Sequence, residues 1–190
     1  PHPHPIPTPY PARHRHHTQP PTQVSAAAAG EVGDTSNGWM ADQKLSYTFG
    51  EGWPAAASSW QKAYPPGIRL LLNWAAERWH GDLIVTENGW SANSFDAQSA
   101  KVDYEQLSYF ANYTEQVRHA IVDDGLPVRG YFAWSLMDNF EWADGYSKRF
   151  GLFFTDYTTQ QRIPKAAARW WAETKAESKR GCPASAHHEA

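Results

Sequence analysis

The sequence predicts an α/β fold in which parallel strands alternate with helices. Two runs rich in aliphatic and β-branched residues, at positions 83–86 and 128–136, have the length and composition of buried strands. Apolar residues recur at helical spacing over positions 66–79, before the first run, and over positions 103–123, between the two runs. A third helical pattern follows at positions 164–177. The order helix, strand, helix, strand, helix is typical of parallel α/β proteins.

Local signals mark where the predicted helices begin and end. Pro66 is well tolerated in a first helical turn, and His80-Gly81 is expected to stop the first helix. Asp103, with Gln106 three positions later, is a capping pair for the second helix, so Asp103 is interpreted as structural. The expected buried face of the second helix consists of Tyr109, Tyr113, Val117, Ala120 and Ile121, and that of the third helix of Ala168, Trp171 and Ala172.

Three segments differ in composition. Residues 1–38 are rich in Pro, His, Thr, Gln and Ala, with little apolar surface to offset the entropy of ordering, and are predicted to be disordered. The histidines of this segment, such as His14 and His16, could bind a divalent metal, but incidental low complexity is the favoured interpretation. Residues 39–180 have a globular composition, and residues 181–190 are expected to form a flexible tail. Positions 42–60 and 91–100 are expected to be loops and positions 150–157 a short hairpin.

Composition excludes some classes of function and favours another. The net charge of −3 over 190 residues is too small to indicate nucleic acid as a partner, and no apolar run approaches the roughly 18 residues of a membrane span. Cys182 is the single cysteine, so no intrachain disulfide forms and the compartment stays undetermined. The 10 Trp and 9 Tyr are many for this length, and flat rings suit the apolar faces of sugars; a large aromatic core is the alternative explanation.

The strand predicted at positions 83–86 ends on a carboxylate. Glu87 and the following Asn88-Gly89 stand where the chain leaves the sheet, which is where parallel α/β barrels keep their catalytic groups. The alternative is a solvated Glu that opens a turn. The second strand leads into a block dense in aromatic and acidic residues, which spans positions 130–142 and is followed by Gly145-Tyr146 and Arg149-Phe150-Gly151.

Two of these stretches, positions 84–89 and positions 130–142, closely resemble the C-terminal signatures of glycoside hydrolase family 1, the β-glucosidase type. The resemblance covers about positions 42–176, including Trp60 and the segments 64–69 and 162–165. It implies that residues 39–180 are the C-terminal part of a (β/α)8 TIM barrel, about its seventh and eighth βα units. The preceding barrel units are expected to lie outside this chain, and this missing N-terminal barrel segment is a partner that the resemblance implies.

The resemblance also implies roles for single residues. Glu87 corresponds to the nucleophile of a retaining glycosidase. Trp134 corresponds to the platform beneath the sugar ring, Glu141 and Trp142 to groups that bind the sugar's hydroxyls, and Phe150 to a wall of the pocket. For each aromatic residue, filling of the barrel mouth is the structural alternative. The acid/base Glu of the family lies in an Asn-Glu-Pro motif, which this sequence does not contain.

The expected substrate is a β-glycoside with a neutral glycone. Relatives that act on 6-phosphorylated glycosides lack an acid at the position of Glu141, because a carboxylate there would repel the phosphate. No metal or organic cofactor is implied. The family usually carries an Arg where this chain has Gln106, which is expected to lose an ion pair with little consequence for the pocket. Two other functions stay open: a truncated, non-catalytic sugar-binding or scaffold protein, and a sulfur-glycoside hydrolase that lacks the carboxylate acid/base.

Overall fold

A computed structural model of the chain describes residues 24–26, 45–47, 49–94 and 96–181, with side chains over residues 49–94 and 96–176. Its elements in chain order are β1 (Val24–Ala26), β2 (Leu45–Tyr47), α1 (Pro66–Arg78), β3 (Leu83–Gly89), α2 (Ala97–Lys101), α3 (Tyr104–Val122), β4 (Val128–Trp134), β5 (Phe153–Thr155), β6 (Arg162–Pro164) and α4 (Ala166–Gly181). The predicted order of helices and strands is confirmed.

β3 and β4 form a two-stranded parallel sheet. Its register pairs Val85 with Tyr131 and Asn88 with Ala133, so β3 has one residue more than β4 between these two pairs. The extra residue is a β-bulge, and it lies where the sequence reaches Glu87. The sheet therefore places the end of β3 beside the end of β4.

One face of this sheet packs on the hydrophobic core and the other is open. Leu83, Val85 and Tyr131 pack against the core residues of α3. On the opposite face Ile84 is 55% exposed and Phe132 is 61% exposed. The prediction of two fully buried strands is therefore wrong, because no element among the described residues covers the second face.

The predicted capping of α3 is confirmed, and its predicted buried face is correct except at one end. The Asp103 carboxylate accepts a hydrogen bond from the Gln106 backbone N–H at 3.1 Å and one from the Ser94 hydroxyl at 2.7 Å. Tyr109, Tyr113, Val117 and Ala120 are buried. Ile121 is 43% exposed, which corrects the prediction. It lies about 100° around the helix from Ala120 and about 40° beyond Val117, at the edge of the buried stripe and one residue before the end of α3.

Three smaller predictions need correction. The segment predicted as a loop at positions 91–100 contains α2, which Asp96 caps by accepting from the Gln98 and Ser99 backbone N–H groups. The hairpin lies later than positions 150–157, because β5 pairs antiparallel with β6. In α4, Trp171 packs on the edge of Phe110, whereas Ala172 is exposed rather than buried.

Most of the amino-terminal part lies outside the described residues. Within the predicted loop at positions 42–60, Leu45–Tyr47 forms β2, which pairs antiparallel with β1. The predicted disorder of residues 1–38 falls, apart from β1, on residues that the structure does not describe, as does the predicted tail beyond Gly181; both stay predictions. Among the described residues, no helix combines the length and the apolar character needed to cross a bilayer.

Candidate active site

A cavity of about 260 Å³ opens at the carboxyl ends of β3 and β4. Four predicted site residues line it, namely Glu87, Trp134, Glu141 and Phe150. The loop before α1, the end of β3 and helix α3 supply the other lining residues, which are Trp60, Gln61, Asn88, Gly89 and Tyr109. The structure thus brings together residues that are distant in the sequence.

Glu87 reaches the cavity from the bulge of β3. Its side chain is exposed, although Val85, two positions earlier, packs on the core. The strand ends tightly beside its neighbour: a Cβ at Gly89 would overlap the carbonyl oxygen of Trp134. Glycine is therefore required where the end of β3 passes the end of β4, and this close approach holds the Glu87 strand end beside Trp134.

Glu141 brings a second carboxylate to the same cavity. It is half-buried in the loop after β4, and its backbone N–H donates to the Gly145 carbonyl at 2.6 Å. Partial burial raises the pKa of the Glu141 carboxyl above its usual value, and the carboxylates of Asp144 and Glu87 raise it further. Glu87 and Glu141 are thus close enough to interact electrostatically across the cavity.

Aromatic rings form the remaining walls. Trp134, at the end of β4, is 37% exposed and can offer its ring to a ligand. Phe150 is buried and stacks on Trp60 with ring centroids 6.3 Å apart and an angle of 21° between the planes. The sequence marks Trp60 only through the family resemblance, but Trp60 lines the cavity and has 55% of its surface exposed.

Trp142 is the predicted site residue that the structure does not bring to this cavity. It begins a single 3₁₀ turn, Trp142–Asp144, and its side chain is 82% exposed. Hydrogen bonds from the Asp144 N–H to the Glu141 carbonyl and from the Gly145 N–H to the Trp142 carbonyl close this turn. The ring therefore lies on the solvent side of the loop, and its role as a sugar ligand stays a prediction.

Gln61 holds the end of β3 in place, and no pattern in the sequence marked it. Its side-chain amide donates to the Gly89 carbonyl at 2.6 Å, and its carbonyl oxygen accepts from the Ser91 backbone N–H at 3.2 Å. Ser91 in turn accepts from the Ser58 backbone N–H at 2.8 Å. Gln61 lies in an irregular loop, where neither helical spacing nor strand alternation singles out a residue.

Gln106 lies in the interior, which corrects the expectation of a lost ion pair with little consequence for the pocket. It is fully buried, and its side-chain N–H₂ donates to the carbonyls of Trp90, Phe150 and Gly151 at 3.1–3.2 Å. Its own Oε1 has no hydrogen-bond partner. Gln106 thus ties the backbone after Glu87 to the backbone that carries Phe150, so position 106 shapes the cavity from behind.

A buried ionic cluster holds the loop between β4 and β5. Asp138 accepts hydrogen bonds from the backbone N–H groups of Gly151, at 2.9 Å, and Thr155, at 3.2 Å. Its carboxylate also lies 3.2 Å from the Arg149 guanidinium and 3.3 Å from the Lys165 ammonium. Burial lowers the pKa of Lys165, and the charge of Asp138 opposes that shift. The cluster fixes both ends of the loop that contains Glu141.

Metal binding is not built into this arrangement. Over residues 49–94 and 96–176, no group of three or more His, Cys, Asp or Glu side chains lies close enough together to hold a metal ion. The chemistry that the cavity offers comes from two carboxylates and the faces of aromatic rings. A carboxylate at the strand end of a parallel α/β fold, beside aromatic rings that can cover a sugar, suits one half of a glycosidase active site.

Comparison with known proteins agrees with this class. The sequence model of Glycosyl hydrolase family 1 matches residues 14–180. Over 124 residues the chain is 49% identical to β-glucosidase 4 of Oryza sativa subsp. japonica, covering 62% of this chain and 25% of the relative. Over 122 residues it is 43% identical to β-glucosidase 1B of Phanerodontia chrysosporium, covering 63% and 23%. The chain belongs to glycosyl hydrolase family 1.

Solved structures give the same result for the fold. A rice β-glucosidase mutant in covalent complex with Glc superposes with a TM-score of 0.71 at 35% identity, over 79% of this chain and 33% of that one. A family 1 β-glucosidase from the fungus Humicola insolens in complex with glucose gives 0.66 at 36% identity, over 70% and 30%. These neighbours are TIM barrels. The chain spans about a quarter of the curated relatives.

Proposed function

We propose that this chain supplies the nucleophile and the sugar-binding groups of a retaining β-glycosidase that hydrolyses O-glycosidic bonds. The observation that carries the proposal is the convergence of Glu87, Glu141 and Trp134 on one cavity at the ends of β3 and β4. The family supports glycoside hydrolysis, and the resemblance of positions 84–89 and 130–142 to its signatures supports the role proposed for each side chain. The substrate is a β-glycoside with a neutral glycone, since the Glu141 carboxylate would repel a phosphate.

In this mechanism the Glu87 carboxylate attacks the anomeric carbon and forms a glycosyl-enzyme, while a second carboxyl group protonates the leaving oxygen. That second group then removes a proton from the attacking water, whose oxygen replaces Glu87 on the sugar. Trp134 stacks on the ring, and the Glu141 carboxylate accepts hydrogen bonds from the sugar's hydroxyls. The indole N–H of Trp142, a predicted further ligand, donates to a hydroxyl oxygen. Phe150 fills the wall between them. Neither step uses a metal or an organic cofactor.

The acid/base carboxylate is expected from barrel units other than those described. The sequence contains no Asn-Glu-Pro, and the described elements correspond in the proposal to the seventh and eighth βα units. A groove of about 700 Å³ runs between α1 and β3, lined by apolar side chains such as Leu71, Trp74, Trp79 and Ile84. All four are more than 45% exposed. We propose that the preceding barrel unit packs into this groove and completes the active site.

The test is reconstitution of the barrel. The full 190-residue chain is co-expressed with part of the rice β-glucosidase whose solved structure superposes on it, namely the N-terminal portion that the chain does not match. We refer to this complex as the reconstituted barrel. Hydrolysis of an aryl β-glucoside is expected, and Glu87→Gln should abolish it. Glu173→Gln, at an exposed position of α4, is the matched control and should retain full activity.

The identity of the nucleophile is tested with Glu87→Ala in the same complex. Removal of the carboxylate opens space on the α face of the sugar, so added azide should yield the α-glycosyl azide. A β-linked azide would show that Glu87 is not the nucleophile. Sugar binding without any turnover by the Glu87 complex would favour the non-catalytic alternative.

A further inference from the structure

The bulge in β3 changes which face of the sheet Glu87 occupies. In a regular strand, side chains alternate, so residues two apart lie on the same face. Val85 packs on the core, and regular alternation would place Glu87 on the same apolar side. The register shift between Val85 and Asn88 adds one residue, so Thr86 and Glu87 are both exposed while Asn88 is half-buried. The bulge therefore turns Glu87 from the core to the cavity.

The buried Tyr109 and the half-buried Tyr131 hold the first paired residue after the bulge. The Tyr131 hydroxyl donates to the Asn88 side-chain oxygen at 2.5 Å, and the Asn88 side-chain N–H₂ donates to the Tyr109 hydroxyl at 3.0 Å. The tyrosines belong to different elements, since Tyr131 lies in β4 and Tyr109 in α3. The Asn88 amide is thus held from the neighbouring strand and from the covering helix at once.

The rings of both tyrosines are fixed by their own packing. Tyr109 stacks on Trp90, with centroids 5.0 Å apart, and on Tyr113, with centroids 4.1 Å apart. Tyr131 lies 5.8 Å from Trp171 between centroids. Burial raises the pKa of both hydroxyls, so both stay protonated around neutral pH and the direction of the two hydrogen bonds is constant.

We propose that Tyr131, Asn88 and Tyr109 form a positioning clamp, which holds the bulge of β3 in the register that points the Glu87 carboxylate into the cavity. A regular strand would need no such clamp, because its ladder of hydrogen bonds fixes its register. At the bulge that ladder is interrupted, and bulges next to active sites serve to aim a side chain. None of the three clamp residues needs to touch the sugar in order to act.

The catalytic consequence rests on the proposed function of Glu87, whereas the effect on the bulge does not. The clamp orients the nucleophile and leaves the sugar-binding residues of β4 and its loop in place. Loss of the clamp should therefore lower kcat much more than it raises KM. A displacement of about 1 Å in a reacting group can cost about a hundredfold in rate.

The experiment uses Tyr131→Phe, which removes one hydroxyl and keeps the ring. In the reconstituted barrel, kcat should fall about tenfold to a hundredfold while KM stays within about twofold. Amide hydrogen exchange of the segment 86–89 should become about tenfold faster, because a hydrogen bond of the clamp is lost. Tyr104→Phe is the matched control: Tyr104 starts α3 at 56% exposure, and the change should leave both quantities unaltered.

Asn88→Ala gives a second test, and a double-variant cycle excludes a general loss of stability. Asn88→Ala should accelerate exchange at least as much as Tyr131→Phe, and adding Tyr131→Phe to it should have little further effect. Unchanged exchange at the segment 86–89 in both single variants would overturn the clamp. Should Glu87→Gln prove active, the proposed function fails, yet the exchange data still decide the clamp. A fall in kcat without faster amide exchange at the segment 86–89 would also refute the clamp.

Discussion

Asp138→Asn is expected to destabilise the protein strongly, because Asp138 is the single anion of a buried cluster within the described residues. Its side chain and that of Lys165 are both 0% exposed, and Arg149 is 16% exposed. Asn keeps one acceptor oxygen but replaces the other by an N–H₂ group, which would face donors. It also removes the carboxylate that lies 3.3 Å from the buried Lys165 ammonium. Breaking such a pair on one side costs about 3–5 kcal/mol.

The assay is urea unfolding of the reconstituted barrel, followed by tryptophan fluorescence. Asp82→Asn is the matched control, since the Asp82–Arg129 pair has the same chemistry at 61% and 66% exposure and should contribute about 0–1 kcal/mol. A double variant, Asp138→Asn with Lys165→Met, should recover part of the loss, because the fully buried Lys165 ammonium is then absent while the partly exposed Arg149 guanidinium stays charged.

The pH dependence of this loss has a defined sign. Burial already lowers the pKa of Lys165, and removal of Asp138 removes the largest of the charges that oppose this shift. A lysine with a lowered folded-state pKa disfavours folding while the unfolded state holds the proton, so the deficit is largest at low pH. It should narrow as the pH rises toward the usual lysine pKa of 10.5. A cost for Asp138→Asn as small as that of Asp82→Asn would refute this reasoning.

Three further outcomes are expected. The full chain alone should show no meaningful hydrolysis of an aryl β-glucoside, because loss of a general acid costs about 10²–10⁴-fold; turnover that Glu87→Gln abolishes would contradict this. Residues 39–180 alone should not unfold cooperatively, because the apolar side chains of Ile84 and Phe132 face solvent. A single sharp thermal transition of the dilute monomer, together with dispersed amide NMR signals, would contradict this prediction. In the reconstituted barrel, Glu141→Gln should unfold at higher urea concentration at pH 7. At pH 7 the raised pKa of Glu141 means that its carboxylate lowers the stability of the folded protein. The stability gained by Glu141→Gln should therefore vanish below pH 4.5, where the wild-type group is neutral. A gain in stability that does not depend on pH would contradict this explanation.

Local patterns in the sequence predicted the order of elements and the position of Glu87, whereas the other cavity residues that were predicted, Trp134, Glu141 and Phe150, came from the resemblance to glycoside hydrolase family 1. Helical spacing located α1 and α3, and the end of an apolar run located Glu87. The hydropathy pattern could not show that the strand has an open face. Ile84 is as apolar as Val85, so hydropathy alone does not distinguish an apolar residue that would contact another barrel unit from one that is already buried.

Residues that act through backbone groups could not be predicted. Gln106 was expected to be a minor change in an ion pair, but it is buried and donates to three carbonyls contributed by two distant segments. Gln61 acts in the same way, through a carbonyl 28 positions away, and Asn88 acts through a tyrosine hydroxyl 43 positions away. Side-chain type alone does not reveal such partners. The bulge likewise has no signature in composition, since it is a property of two strands paired in space.

The position of Lys165 in the chain has a consequence for synthesis. Every residue that lines the cavity leaves the ribosome before it, from Trp60 to Phe150. At a synthesis rate of about 5–20 residues per second, Lys165 is added several seconds after Glu87. Between the addition of Asp138 and that of Lys165, the Asp138 carboxylate lacks its ammonium partner. A nascent chain that stops before Lys165 keeps every residue that touches the cavity and still loses the ion pair that secures its wall.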